Sequence, residues 1–184
     1  DLDDADLIRK RAEMEFPFVV VENEVEDANV NNVLVDNTYG SKLAVDHLVE
    51  KGCRRILHVT GAKGTKASLR RWQGYLAAME QQGLAQYISV VECDEFGVDE
   101  GYKAVKTWLA EHCREDLPDA IYFGADNTAF GGMIALEEAG IQIPEQIKIV
   151  GFDDDKPWGV EKKLKKLTTI RQPLYEVGAK AVQV

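Results

Sequence analysis

Two acidic side chains follow two apolar segments of this 184-residue chain. Asp126 comes just after the strand-like segment 120–124, and Asp153 comes directly after the segment 149–152. In an open parallel sheet, ligands bind outside the carboxyl ends of the strands, so both carboxylates are expected at one crevice. A carboxylate accepts hydrogen bonds and donates none when ionised. The spacing therefore predicts a site for a neutral ligand that carries hydroxyl groups.

A cation is predicted near the same edge of the sheet. Arg71 lies in the first turns of the helix that follows the segment 55–60. There its planar guanidinium can reach the crevice and donate forked hydrogen bonds to hydroxyl or carboxylate oxygens. The alternative for Arg71 is a solvated helix arginine like its neighbour Arg70. For Asp153 the alternative is turn chemistry, and for Asp126 it is an N-cap, a position that aspartate favours.

The residues that most often perform catalysis do not form a recognisable motif. The three histidines, His47, His58 and His112, lack the spacing of a metal site. Ser68 is not part of a Gly-x-Ser-x-Gly turn, so no nucleophile is evident. The loop Gly61-Ala-Lys-Gly64 stands where phosphate-binding loops lie, but it matches neither the dinucleotide nor the Walker pattern. We expect no metal, no cofactor and no enzymatic activity.

The composition excludes several other classes. Lys and Arg total 22 against 32 Asp and Glu, and the formal net charge is −10. Such a surface repels the phosphates of DNA. The three cysteines have no Cys-x-x-Cys spacing, which indicates reduced thiols and a cytoplasmic location. No apolar run approaches the roughly 20 residues of a membrane span. The acidic first residues are unlike a signal peptide, but a chain from which a signal peptide had been removed would also show none.

Helix-like and strand-like periods alternate along the chain. Strands that alternate with helices form right-handed βαβ units and a parallel sheet, so we predict a doubly wound α/β fold. The predicted strands are 18–21, 33–36, 55–60, 87–92, 119–124, 147–152 and 167–170, and the predicted helices are 4–15, 39–51, 67–82, 97–113, 127–139 and 174–184.

Both ends of the chain indicate a second, incomplete lobe. The first two predicted strands have no further partner nearby in sequence, and two strands rarely form a stable sheet alone. The last helix pattern runs to Val184 without a stop signal. We interpret 38–172 as one complete lobe, 1–37 as part of a second lobe, and 173–184 as the start of a helix that returns to that second lobe.

A series of short motifs spans nearly the whole chain. In order they are Val35-Asp36-Asn37-x-x-Gly40, Arg71-x-x-Gly74, Ala125-Asp126-Asn127-x-Ala129-x-Gly131, Ala139-Gly140-x-x-Ile143-Pro144, Val150-Gly151-Phe152-Asp153-Asp154 and Leu167-Thr168-Thr169-Ile170-Arg171-Gln172-Pro173. This series resembles the effector-binding domain of LacI/GalR-type transcriptional regulators, which has the periplasmic-binding-protein type I fold. The resemblance implies a two-lobed cytoplasmic sensor, a homodimer, with a small-molecule site between its lobes. DNA binding would belong to an N-terminal helix-turn-helix that this chain lacks.

The resemblance also implies ligand contacts at named positions. It matches Arg71 with a ligand-contacting arginine and Phe96 with an aromatic ring that stacks on the apolar face of the ligand. Gln172 matches an amide near the inter-lobe hinge, and Glu22 aligns with an acidic contact of the other lobe. Asp36 falls where the chain crosses between the lobes. The structural alternatives are a helix staple for Phe96, a structural amide for Gln172, and hinge or helix-cap roles for Asp36.

Two further positions bear on the crevice. Many relatives have an asparagine that bonds the ligand where this chain has Ala125, whose side chain neither donates nor accepts. Trp158 either walls the pocket or covers the lobe.

The sequence thus predicts the sensing domain of a DNA-binding regulator whose effector is a sugar or a sugar derivative. Effector binding would shift the equilibrium between lobe arrangements and so change operator affinity. The alternative is a periplasmic sugar-binding protein of an ABC transporter.

Overall fold

A computed structural model describes residues 2–14, 17–23, 30–62, 64–156 and 166–184. The chain divides into two compact units. The smaller unit comprises Asp1–Asp36 and Pro173–Val184, and the larger unit comprises Asn37–Gln172. In chain order the elements are α1 (Leu2–Glu13), β1 (Val19–Val21), β2 (Asn31–Val33), α2 (Asn37–Glu50), β3 (Ile56–Ala62), α3 (Lys66–Gln81), β4 (Ser89–Cys93), α4 (Val98–Glu111), β5 (Ala120–Phe123), α5 (Asp126–Glu138), β6 (Lys148–Asp153), β7 (Thr168–Arg171) and α6 (Leu174–Gln183).

The larger unit is built on a parallel sheet with the strand order β4-β3-β5-β6-β7. The central strand β5 is buried along its whole length, as expected of a strand that is covered on both faces. Helices α2 and α3 supply the core on one face, and α4 and α5 supply the core on the other. The predicted doubly wound α/β fold is confirmed. The strand ends that carry Gly124 and Asp153 therefore lie next to each other at the carboxyl edge.

The smaller unit contains the parallel pair β1 and β2, which packs with Val177 of α6. Strand β2 ends at Val33, whereas the sequence pattern predicted a strand from 33 to 36. The structure shows why the ladder stops there. The backbone N–H of Val35 donates to the Glu22 carboxylate at 2.6 Å, so Val35 does not continue the pairing with β1.

No helix in the described ranges is long and apolar enough to cross a membrane.

Helices α4 and α5 approach each other through two glycines. A Cβ added to Gly131 would lie 1.8 Å from the carbonyl oxygen of Val98, and a Cβ added to Gly101 would lie 1.9 Å from that of Thr128. Both obstacles are backbone atoms, which cannot rotate away. The absence of a side chain at these positions is therefore what brings the two helices together.

We expect Gly131→Ala to lower the free energy of unfolding by about 1–3 kcal/mol, because the added methyl group forces the two helices apart. Urea denaturation followed by circular dichroism measures this change. Gly178→Ala is the matched control, since that helix position faces open space, and there alanine should be neutral or stabilising. Equal stability of Gly131→Ala and the unsubstituted protein would contradict the close approach.

Candidate functional site

A buried guanidinium forms the centre of the candidate site. Arg71 is only 5% exposed. Its Nε donates to Oδ1 of Asn37 at 2.8 Å, and its Nη1 donates to the carbonyl oxygen of Gly124 at 2.6 Å. The same Nη1 lies 3.2 Å from Oδ1 of Asp153, and the guanidinium carbon lies 3.8 Å from the centre of the Phe152 ring. We call Arg71, Asn37, Gly124, Phe152, Asp153 and Gln172 the Arg71 cluster.

The fold explains why these residues meet. Gly124 follows β5 and Asp153 ends β6, and these neighbouring parallel strands reach the same edge of the sheet. Arg71 lies in the second turn of α3, and Asn37 begins α2 on the same face of the sheet. The sequence predicted both Arg71 and Asp153 at this edge, and the structure shows in addition that they pair with each other. Their contact with a ligand stays a prediction.

Asp153 occupies a strained backbone conformation. Its φ is 120°, in the region that residues other than glycine rarely adopt. Gln172 donates through Nε2 to Oδ1 of Asp153 at 2.6 Å, and Arg71 pairs with the same oxygen. Among the described residues no donor reaches Oδ2, and the side chain is 28% exposed. Asp153 therefore presents one oxygen that can accept from a ligand hydroxyl.

The pKa of Asp153 is raised above its ordinary value. Burial is the main cause, and it is opposed by the charge of Arg71 and by the hydrogen bond from Gln172. These two donors favour the ionised, accepting form of the carboxylate.

Asp126 has a different role from the one the sequence indicated. The N-cap position of α5 is Ala125, and Asp126 is the first residue of the helix, so the N-cap interpretation was wrong. Its buried carboxylate accepts from Oγ1 of Thr169 at 2.7 Å and from the backbone N–H of Asp155 at 2.8 Å. Both oxygens are thus engaged in tying β7 and the loop after β6 to the start of α5. Its role as a ligand contact is a prediction that this geometry does not favour.

Phe96 lies at the same edge of the sheet. Its ring packs on Gly61 near the end of β3, where an added Cβ would lie 1.9 Å from a ring carbon. Gly61 in turn adjoins Gly124, since a Cβ on Gly124 would lie 2.7 Å from the Gly61 nitrogen. Phe96 as a residue remains 43% exposed, so part of its apolar surface is available for a ligand to cover.

Two predicted contacts belong to the smaller unit. Glu22 has a positive φ of 55°, and its carboxylate binds the Val35 amide. Asp36 is exposed and ends the first segment of that unit. Their role as ligand contacts stays a prediction. Trp158 lies outside the described residues.

Asn37 is a member of the cluster that sequence reasoning did not place there. It follows Asp36 in the motif Val35-Asp36-Asn37-x-x-Gly40. It is 4% exposed, and its amide oxygen accepts from Arg71. Its position in the Asp-Asn motif was the only signal, because the two residues are 34 positions apart and only the tertiary structure brings them together.

The histidine in the sheet is not arranged for catalysis. His58 is fully buried and stacks between the rings of Tyr75 and Tyr122. Burial lowers its pKa to about 4, so the ring is neutral near pH 7. Among the described residues, no group of three or more His, Cys, Asp or Glu side chains is arranged to hold a metal ion.

Comparison with known proteins identifies the family. The family model described as "Periplasmic binding protein-like domain" matches residues 45–184. The chain belongs to the periplasmic binding protein-like domain family.

This periplasmic binding protein-like chain is similar to known transcriptional regulators. It is 34% identical to the ribose operon repressor of Halalkalibacterium halodurans, over 91% of this chain and 48% of that protein. The chain thus spans about half the length of this curated relative.

Solved structures give the same result. A LacI transcriptional regulator from a Rhodococcus species matches with a TM-score of 0.82 and 30% identity, over 100% of this chain and 64% of the other. A periplasmic binding protein/LacI transcriptional regulator from Alkaliphilus metalliredigens, complexed with D-xylulofuranose, matches with a TM-score of 0.75 and 30% identity, over 94% of this chain and 62% of the other. The resemblance to LacI/GalR-type regulators is confirmed.

The buried Asp126 predicts a pH dependence of stability. Burial raises its pKa to about 6 in the folded state, against 3.8 as the ordinary value. The folded state thus favours the protonated form. The stability gained from that protonation is fully present below pH 3.8 and is lost as the pH rises to about 6.

The quantity to compare is the free energy of unfolding of the unsubstituted protein minus that of Asp126→Asn. We expect this difference to fall by on the order of 2 kcal/mol between about pH 4 and pH 6.5 and to be constant above that range. Urea denaturation at a series of pH values measures the difference. Thr169→Val should move the window to higher pH, because it removes a donor that lowers the pKa of Asp126. A difference that stays constant from pH 4 to 7 would refute the raised pKa.

Proposed function

We propose that this chain is the effector-sensing part of a LacI-type transcriptional regulator and that it binds a sugar at the Arg71 cluster. The observation that carries the proposal is the buried Arg71 guanidinium beside the partly exposed Asp153 carboxylate at the carboxyl edge of the sheet. Ligands of open parallel sheets bind at this edge. Polar groups that are already fixed by neighbours lose little entropy when a ligand binds.

The chemistry of the cluster suits a neutral, hydroxylated ligand. Arg71 and Asp153 already pair their charges, so a charged ligand would leave one of the three ions without a partner. Oδ2 of Asp153 accepts from a hydroxyl, and the Phe96 ring covers an apolar face of a sugar ring. The side chain of Ala125 contributes no polar atom, so the ligand gains fewer side-chain contacts here than in relatives with asparagine at this position.

We infer that the effector is a pentose. A relative named for the ribose operon and a structural neighbour complexed with D-xylulofuranose support this class. As the family resemblance implies, Glu22 and Asp36 are candidates for further contacts with the ligand. Ligand binding changes operator affinity through a coupling free energy of typically about 1–3 kcal/mol.

The remaining parts of the proposal come from the same relatives. We propose a homodimer in the bacterial cytoplasm that contacts DNA through a helix-turn-helix outside this chain, and we propose no enzymatic activity. The named relatives are a repressor and transcriptional regulators, which does not favour a transport-linked binding protein. In the full-length protein, a bound pentose should change the affinity for operator DNA, which fluorescence anisotropy measures.

Asp153→Asn should weaken pentose binding at least tenfold, since a hydrogen bond to a charged group contributes about 1.5–3 kcal/mol. Arg71→Lys should do the same, because an ammonium group cannot reproduce the planar contacts to Asn37 and Gly124. Isothermal titration with ribose and with D-xylulose measures both effects.

Asp154→Asn is the matched control for Asp153→Asn. It makes the same chemical change at the next residue, which is exposed and has a φ of 61° that asparagine tolerates. This control should bind within about twofold of the unsubstituted protein, since removing a surface carboxylate rarely matters. Full pentose affinity in a folded Asp153→Asn variant would show that the pentose does not bind at the Arg71 cluster.

A further inference from the structure

A cavity of about 250 Å³ lies beside the end of β3, and none of its lining residues belongs to the Arg71 cluster. Its walls include Thr60, Gly61, Ser68, Trp72 and Glu92, and the first residues of α3 close it on one side. Neither Arg71 nor Asp153 lines it. Phe96, which the proposed function uses, packs on Gly61 at the border of this cavity but does not line it.

A β-bulge forms one side of the cavity. Val59 pairs with Val91 and Ala62 pairs with Cys93, so two residues of β3, Thr60 and Gly61, lie opposite the single residue Glu92. The extra residue locally interrupts the pairing of the edge strand β4. Bulges of this kind are common next to binding sites, where they redirect side chains.

Ser68, which lines this cavity, carries a hydroxyl without a hydrogen-bond partner. The residue is 6% exposed, and its Oγ has no hydrogen-bond partner. Its backbone N–H is satisfied separately by Oγ1 of Thr65, the N-cap of α3. A buried hydroxyl without a partner costs about 1–3 kcal/mol. Because Ser68 lines the cavity, a ligand there can form the missing bond.

The charges and the apolar surface define which ligand fits. The cavity lies at the N-terminus of the 16-residue helix α3, which is a favourable position for an anion, and Lys66 is the first residue of that helix. Trp72 lines the cavity and is 36% exposed, so its indole is available to pack against a ring. The Glu92 carboxylate repels a bare anion but accepts hydrogen bonds from hydroxyl groups.

We propose that this cavity is a second small-molecule site that binds a sugar phosphate. The phosphoryl group lies at the N-terminus of α3, where Ser68 donates to it and Lys66 contributes positive charge. The sugar ring covers Trp72, and its hydroxyls donate to Glu92. The regulator then has two inputs: a neutral sugar at the Arg71 cluster and a phosphorylated sugar at this cavity.

Isothermal titration of the full-length protein with ribose 5-phosphate and glucose 6-phosphate tests the proposal. The titrations are made in the unsubstituted protein and in the Asp153→Asn variant, in which binding at the Arg71 cluster is weakened. We expect at least one of the two sugar phosphates to bind in this background. Adding Ser68→Ala should weaken binding about tenfold or more, as loss of a hydrogen bond to a charged group does. Trp72→Ala should weaken it as well.

Thr128→Val is the matched control for Ser68→Ala. Thr128 carries another buried hydroxyl without a partner, but it does not line the cavity. Its removal should leave sugar-phosphate affinity unchanged. Neither change should lower the free energy of unfolding, because each removes an unsatisfied polar group. Weakened binding in Ser68→Ala alone therefore reports a contact with the ligand.

Three results would contradict sugar-phosphate binding at this cavity and would leave the proposed sugar site at the Arg71 cluster unaffected. One is sugar-phosphate binding that Asp153→Asn abolishes and Ser68→Ala leaves intact, which would place the ligand at the Arg71 cluster. Another is the absence of binding by both sugar phosphates. The third is inorganic phosphate binding as tightly as the sugar phosphates, which would exclude a contact between the ring and Trp72. Failure of the proposed function would instead appear as an absence of pentose binding, or as pentose binding that Asp153→Asn does not weaken.

Discussion

The candidate site depends on how the larger unit accommodates one buried positive charge. A guanidinium in the interior is costly unless its donors are satisfied and its charge is compensated. Arg71 meets this demand with an amide oxygen, a backbone carbonyl, a carboxylate and an aromatic face. These four partners come from α2, the end of β5, and β6. The charge therefore fixes where three separate elements meet, and the partly exposed carboxylate of Asp153 is the part of the arrangement that a ligand can reach.

The same arrangement explains the strain at Asp153. A non-glycine residue with a φ of 120° persists only when its surroundings hold it there, and such residues cluster at functional sites. Here the surroundings are Arg71 and Gln172, which both bind Oδ1. A strained residue held by two charged or polar contacts is preorganised, because its carboxylate does not have to reorient when a ligand arrives.

Two aspartates that look alike in the sequence take different roles for a physical reason. Asp153 ends its strand at the edge of the sheet and keeps one oxygen open. Asp126 begins a helix whose N-cap is Ala125, so its side chain turns inward to Thr169 and the Asp155 amide. Burial raises its pKa to about 6. Both residues follow apolar strands, and only the direction of the chain after each strand separates a structural carboxylate from an available one.

Periodicity and local motifs were enough to predict the alternating elements, the parallel sheet, and Arg71 and Asp153 at one edge. These features depend on local hydrophobic patterns and on a general rule for open parallel sheets, so the linear order of residues determines them. Tertiary structure decided three further features: the end of β2, where the Glu22 carboxylate accepts from the Val35 amide, the hydrogen bond between Arg71 and Asn37, and the unsatisfied Ser68 hydroxyl in the cavity beside β3. Each of these depends on which polar groups the packing brings within hydrogen-bond distance, and neither periodicity nor propensity determines that. The sequence alone thus determined which elements form and that the carboxyl edge of the sheet carries the polar side chains. The packed structure decided which of their polar atoms bind other protein groups and which remain available.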